Sequence, residues 1–342
     1  MNNSIYLKDL ADGIIVLDDM GTIIEANPSA IKLLGLTDDY LGKKYINIIS
    51  ASERKENDEF HQVVIDSILS APETCKRRVK YLTANGEVRI FQLSSSLSEK
   101  GDESGRLILT FTDITETTRL TMLRGRASYA FIVILGFLSC WILAYALWQY
   151  LGNPIPVETM SKILIFSCLI VSVFTVLYLK LKPEECGLKY KGIKKVIITD
   201  ILIAMVGAAA LIIVKIIIMR VAPDFNFYCK DNRFFDFSKY KWYNYLWYAF
   251  SVLAQEFESR GLIHEQTRIV ISSKHRETLA ILMSSLVFAA AHVHLGLIYM
   301  ICAGLLLGLL GVVYKKQGTI WGLCIPHFAL GEMIGILGFV AF

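Results

Sequence analysis

Two folds in tandem are predicted for this chain. The first is an α/β domain on a five-stranded antiparallel sheet with helices; the second is an all-α polytopic membrane bundle of about seven helices. Three observations predict them. Up to about residue 118 the sequence alternates short β-branched runs with polar turns, whereas apolar residues accumulate after Ala127. The 342 residues are 54% hydrophobic and 19% charged, with mean hydropathy +0.48, a balance too apolar for a soluble domain of that length. Finally, the apolar run from Trp247 carries Gln255, Glu256, Glu258 and Arg260 within two turns of one helix. Charge there is costly, which makes the stretch a site hypothesis.

Net charge is +4, too small to imply nucleic acid, and the basic residues gather at membrane edges. The seven cysteines are scattered, with no Cys-x-x-Cys pair, which argues against a thiolate metal site and a disulfide framework. The opening MNNSIYLKDLADG lacks a charged region followed by an apolar core. The expectation is that no signal peptide is present and that the front domain is cytoplasmic.

In order, Gly13–Asp19 (GIIVLDD) turns at Met20-Gly21 into Thr22–Ala26 (TIIEA), a hairpin signal. Asn27-Pro28 starts a helix through Leu34, Asn capping it and Pro fitting its first position. Thr37-Asp38-Asp39 caps a further short turn. Over Glu53–Leu69, Phe60, Val63, Val64 and Ile68 recur at helical spacing among charges, giving an amphipathic helix. Strands follow at Arg78–Thr83, Val88–Ser94 and Leu107–Thr112. Asn85-Gly86 joins the first two, and the polar loop Glu99–Gly105 precedes the last.

The opening GIIVLDDMGTIIEANPSA, the ANGEVR hairpin and the closing FTDIT together resemble a PAS sensor domain over residues 1–118. The resemblance implies a module that binds a small ligand, haem or flavin, or docks proteins, and signals through its C-terminal strand. The flavin-type cysteine motif is absent. His61 is the residue to offer as a haem ligand, but a lone histidine on an amphipathic helix is more simply core or surface filler. The expectation is a PAS module with an unidentified ligand.

Residues 119–127 link the two parts, with Arg119, Arg124 and Arg126 just before the first span, and are too short for a coiled coil of their own. Residues 128–342 form the membrane domain. Its spans are Tyr129–Leu151, Ile163–Leu179, Val196–Met219, Tyr245–His264, Leu279–His292, Leu295–Tyr314 and Ile320–Phe342, the second and fifth being short. Basic residues before the first span, at Lys180–Lys195, Arg268–Arg276 and Lys315-Lys316 all fall inside if the front domain is cytoplasmic. Segment Ala222–Trp242 then lies outside, in the interface. Gly304, Gly308 and Gly311 are packing positions.

Glu256 and Arg260, four apart, share a face and can pair, as a site or as a structural ion pair. His292 ends Phe288-Ala-Ala-Ala-His292, with His294 two further on, and His327 follows Pro326 inside an apolar helix. A carboxylate and two histidines on separate membrane helices suit water activation with oxyanion stabilisation, with or without a metal. They equally suit a proton or ion path. Spacing does not separate these, and for either histidine alone packing is the simpler reading.

Order and spelling go further. Glu-Glu-x-x-x-Arg-Gly, then Phe-x-x-x-His, then His-x-x-x-Asn defines the CPBP family: CAAX prenyl endopeptidases and bacteriocin-processing relatives, which are helical intramembrane proteases. The chain is similar over Tyr129–Phe342, matching at Glu256, Arg260, Gly261, Phe288, His292 and His327. The resemblance implies that the first-motif glutamate and His292 activate water, that the last-motif histidine and asparagine hold the oxyanion, and that no metal is required. Its partners would be membrane lipid and a membrane-associated peptide or protein.

Two departures fall on those positions: Gln255 for the first glutamate and Gly331 for the asparagine. A glutamine amide accepts no proton, so the base must be Glu256 or absent. Glu256 lies about 100° round the helix from Gln255; Glu258 is closer to that face but a turn away. Gly331 offers no donor, and Glu332 points elsewhere. Base and oxyanion donor are each worth roughly two orders of magnitude or more in rate, so losing both leaves little proteolysis. One reading is a PAS-regulated endopeptidase that cleaves or binds a membrane-associated peptide through Glu256 and His292. The other is a lapsed protease whose polar cavity serves signalling or partner binding. A transporter is disfavoured, with neither an internal repeat nor a pair of broken helices.

Overall fold

The computed structural model describes residues 10–36, 39–49, 55–69, 75–83, 85–98, 106–190, 192–238 and 241–339. The expected turn at Thr37-Asp38 and the loop Glu99–Gly105 lie outside the described residues, as does the end of the last expected span beyond residue 339. The chain divides into two units, Met1–Met122 and Leu123–Phe342.

The first unit is built on β1 (Gly13–Leu17), β2 (Ile23–Ala26), α1 (Pro28–Leu34), α2 (Tyr45–Ile49), α3 (Asp58–Leu69), β3 (Cys75–Leu82), β4 (Val88–Ser98) and β5 (Arg106–Asp113). The strands form one antiparallel sheet in the order β2-β1-β5-β4-β3. Alternation dictates its buried face: Ile15 pairs with Leu109, Leu93 with Phe111 and Val79 with Phe91, and all six are buried. Helix α3 covers that face with Phe60, Val63 and Val64. Phe60, Tyr81, Phe91 and Phe111 form a chain of rings with centroids 5.3, 5.5 and 5.4 Å apart.

Asn27 does more than cap. Its Oδ1 accepts from Ala30 N and from Ile14 N, each at 2.9 Å, and its Nδ2 donates to Asp12 O at 2.8 Å, tying α1 to β1. His61 lies between Tyr45 and Phe60, with Nδ1 lacking a hydrogen-bond partner among the described residues.

In the second part, α4 (Thr115–Tyr150) takes in residues 119–127 and the first expected span as one helix. It is followed by α5 (Val157–Leu179) and α6 (Ile193–Val221), then by α7 (Trp242–Glu256), a π-helical segment Phe257–His264 and α8 (Glu265–Val270). The remainder are α9 (Arg276–Ala291), α10 (Leu297–Gln317) and α11 (Ile320–Ile336). Among the described residues α4, α5, α6 and α10 are long and apolar enough to cross a membrane, and α11 is a shorter apolar helix. The second span is longer than expected, because α5 already begins at Val157. The fourth is not one regular helix: its charged residues sit where α-helix gives way to π-helix.

Close helix packing relies on small residues. A Cβ at Gly304 would meet Ala289 Cβ at 3.0 Å, and one at Gly311 would meet Arg260 Nη1 at 2.9 Å. Lys215 of α6, 1% exposed, donates from Nζ to Phe234 O at 2.6 Å and Leu337 O at 2.7 Å. It also lies 4.7 and 4.8 Å from the ring centroids of Phe227 and Phe234. No sequence pattern marks this lysine, because its partners are backbone carbonyls.

Candidate active site

The π-helical segment sets the geometry. Such turns bond i to i+5, widen the helix, and are frequent at functional sites. Here the segment follows directly on Glu256 and contains Arg260. Both are fully buried, and Arg260 Nε stands 3.6 Å from Glu256 Oε2, an ion contact too long for a hydrogen bond. The guanidinium is held further by Ser284 Oγ of α9, at 3.1 Å from Nη1, and by the Leu307 carbonyl of α10.

The other carboxylate oxygen, Glu256 Oε1, is 2.7 Å from His327 Nδ1. A carboxylate accepts, so Nδ1 carries the proton and the neutral ring keeps its lone pair on Nε2. His327 is 3% exposed on α11, beside Pro326. Arg260, Glu256 and His327 thus make one buried chain across α7, the π segment and α11.

His292 ends α9, where its Nδ1 donates to Phe288 O at 2.7 Å, again leaving the lone pair on Nε2. Its ring lies 4.3 Å from that of Phe288 and 5.7 Å from Tyr299, while Phe288 meets His327 edge-on at 5.7 Å. Phe288 therefore touches both histidines. Gln255 turns the other way: its Nε2 donates to Ser251 Oγ at 2.9 Å on its own helix. Glu258 lines a small cavity with Cys168, Leu164, Phe288 and Ala291, with room for about one water. Glu332 is 8% exposed, with Oε2 lacking a hydrogen-bond partner among the described residues.

Other polar partners were not singled out from sequence. Ser161 Oγ lies 2.7 Å from His294 Nε2, whose Nδ1 is 3.1 Å from Ala291 O. Ser284 is a small hydroxyl in an apolar helix and gives no sequence signal. Tyr248, inside α7, reads as one more aromatic in a membrane-edge cluster. No group of three or more His, Cys, Asp or Glu side chains that could hold a metal occurs among the described residues.

Against known families, residues 11–116 match the PAS domain model, and residues 238–331 match the model for the type II CAAX prenyl endopeptidase, Rce1-like family. The chain therefore joins a PAS domain to an Rce1-like CAAX protease domain, in that order. Glu256, Arg260, His292 and His327 all fall within the second match.

Similar solved structures include an RNA-binding light-oxygen-voltage receptor, at 18% identity and TM-score 0.28 over 34% of this chain and 33% of that one. A domain of the sensory box sensor histidine kinase/response regulator from Geobacter sulfurreducens gives 18% and 0.26, over 32% of this chain and 90% of that one. The PAS domain of an HTR-like protein from Haloarcula marismortui gives 21% and 0.25, over 32% and 85%. No curated protein matches the chain.

Proposed function

We propose that the chain is a PAS-regulated membrane endopeptidase that cleaves a membrane-associated peptide slowly beside the Glu256–His327 pair. The observation that carries this is the 2.7 Å bond from His327 Nδ1 to a carboxylate that is itself fully buried. An imidazole held in this way has its tautomer fixed and its Nε2 lone pair presented, which a general base requires. Glu256, engaged by His327 and Arg260, positions rather than attacks. His327 Nε2 takes a proton from water as the water oxygen bonds to the scissile carbonyl carbon. The C–N bond then breaks, and the proton passes to the leaving nitrogen. His292 Nε2 accepts from the second hydrogen of the same water.

Gln255 and Gly331 stand where the resemblance calls for a glutamate and an asparagine, which is why turnover is slow in this reading. The turn of Gln255 toward Ser251 also favours a second reading, a lapsed protease that retains the peptide without cutting it. In either case the partners are membrane lipid, a membrane-associated peptide or protein and, for the PAS domain, a small-molecule ligand. Purified full-length protein in lipid, given a fluorogenic membrane peptide, tests the choice: turnover lost in Glu256→Gln supports the endopeptidase. Peptide retained by the wild type with no turnover leaves the lapsed protease. The basic loops support a cytoplasmic PAS domain, which should be digested by protease added to intact inside-out vesicles; protection there would refute that orientation.

A further inference from the structure

A further histidine beside His292 is set up for different chemistry. His294 lies in the short turn between α9 and α10 and is 8% exposed. Its Nδ1 stands 3.1 Å from Ala291 O, and its Nε2 stands 2.7 Å from Ser161 Oγ on α5. A carbonyl only accepts, so Nδ1 carries the proton and Nε2 presents its lone pair. The one proton of the Ser161 hydroxyl therefore points at Nε2 and not at Val157 O, which is further away at 3.1 Å. Trp141 steadies the arrangement: its Nε1 donates to the same Ala291 O at 3.3 Å, and its ring meets the imidazole edge-on, centroids 5.5 Å apart. A hydroxyl, a base within hydrogen-bond reach and a third group that orients the base are the parts of an activated nucleophile. Here the third group is a backbone carbonyl in the place that a carboxylate takes in a Ser-His-Asp triad.

We propose that Ser161 is a nucleophile with His294 as its base, and that the pair takes an acyl group from an ester at the membrane edge. Ser161 Oγ bonds to the ester carbonyl carbon as its proton passes to His294 Nε2. The C–O bond of the ester then breaks, and the same proton leaves with the alcohol. Water repeats the sequence on the acyl-serine and releases the acid. A neutral carbonyl holds an imidazolium less strongly than a carboxylate does, which suits an alkoxide leaving group better than the poorer amide nitrogen. Ser161 is only part-buried in the second turn of α5. Leu297 and Ile298, 67% and 76% exposed, open α10 three and four residues after His294, so an apolar surface adjoins the pair in the chain and fits an ester with a hydrocarbon tail. The His294 ring lies 6.3 Å from that of His292, yet its bonds run to Ser161 and Ala291 and not to Glu256 or His327. The inference therefore stands independently of the peptidase reading.

The competing account is a helical serine that bonds back to Val157 O, with His294 only packing beside it. A fluorophosphonate with a long alkyl chain separates the two, because phosphorus bonds to a serine oxygen and fluoride leaves readily only where the hydroxyl is activated. Given to full-length protein in lipid, it should label Ser161 at least about a hundredfold faster than Ser139, read by mass spectrometry of the digested chain. Ser139 is the internal control, exposed on α4 with Oγ donating to Leu135 O at 2.9 Å. His294→Gln, with Tm unchanged, should lose that advantage. A p-nitrophenyl ester of a long-chain fatty acid should release nitrophenol with the wild type and not with Ser161→Ala. Equal labelling of Ser161 and Ser139 in the wild type would overturn the inference, and this comparison needs no variant to fold. Undiminished labelling of Ser161 in His294→Gln would overturn the role of the histidine, and equal nitrophenol release by wild type and Ser161→Ala would overturn the acyl step.

Discussion

His327 Nδ1 lies 2.7 Å from Glu256 Oε1, a bond between residues 71 apart in sequence and both almost wholly removed from solvent. Glu256 also neutralises Arg260 at 3.6 Å, so one carboxylate serves a histidine that faces the site and an arginine that ties α9 and α10 to it. The site and the packing of the bundle are therefore linked through a single residue.

Removing that carboxylate should show both roles. Glu256→Ala leaves a buried guanidinium without its counter-charge, which costs about 3–5 kcal/mol, and Tm should fall accordingly. Glu256→Gln keeps shape and an acceptor for His327 but leaves the guanidinium equally without its counter-charge, so it should lose activity and most of the same Tm. The melting curves, measured beside turnover, check this; a Glu256→Gln chain as stable as wild type would contradict the ion-pair account.

How much of this is legible in the sequence follows from the physics of each element. The PAS sheet is, because period-two alternation and the Asn-Pro and Asn-Gly signals are local, and Ile15, Phe91 and Phe111 face inward as their spacing requires. The charges at 256 and 260 stand out in apolar surroundings whatever helix carries them. The π-helical segment is not legible, since the hydrophobic pattern assumes 3.6 residues per turn. Nor is Tyr248: its phenol fills the space beside Gly331 in another helix, and a glycine in a membrane helix reads as packing or loss. Lys215 was missed because its partners are backbone carbonyls, which no residue pattern marks.

The position of Gln255 gives a second expectation. Its amide already bonds Ser251 Oγ at 2.9 Å, so Gln255→Glu can keep that contact by accepting from the hydroxyl while adding a carboxylate one residue from Glu256. Turnover should rise by roughly one order of magnitude or more if a general base is what this position lacks. Gly331→Asn in the same chain would need Tyr248 shortened as well, given the 1.7 Å between a Cβ at 331 and the phenol oxygen. A Gln255→Glu chain no faster than wild type would show that His327 already meets the need for a base.

The PAS domain should be less stable in acid. Burial holds the His61 imidazole below its ordinary value of 6.5, with Asp58 opposing it in part. The folded state binds this proton less readily than the unfolded one, so the group's contribution is fully present above the unfolded value and shrinks as pH falls through it. Hydrogen exchange of β3 and β4 amides in the full-length chain, compared at about pH 7.5 and about pH 5.5, should show faster opening at the lower pH. His61→Leu should flatten that difference; an unaltered difference would assign the acid sensitivity to other groups.

Lys215 makes the last prediction. Its ammonium meets the carbonyls of Phe234 and Leu337 at 2.6 and 2.7 Å and two aromatic faces, with Cys229 Sγ at 3.5 Å. It therefore pins the segment after α6 to the end of α11. Lys215→Met keeps the length of the stem in its apolar channel but strands two buried carbonyls. Each costs about 1–3 kcal/mol when unsatisfied, so a total of about 2–6 kcal/mol is expected. The loss should be local as well as global: protease added on that side should cut within residues 222–238 of Lys215→Met faster than in wild type. Glu256 lies on α7, and His327 sits well before the end of α11 that Lys215 anchors, so the reporter peptide should be handled as before once the protein is intact. Equal protease resistance in the two chains would mean that the aromatic packing of Phe225, Phe227 and Phe339 fixes the segment without the lysine.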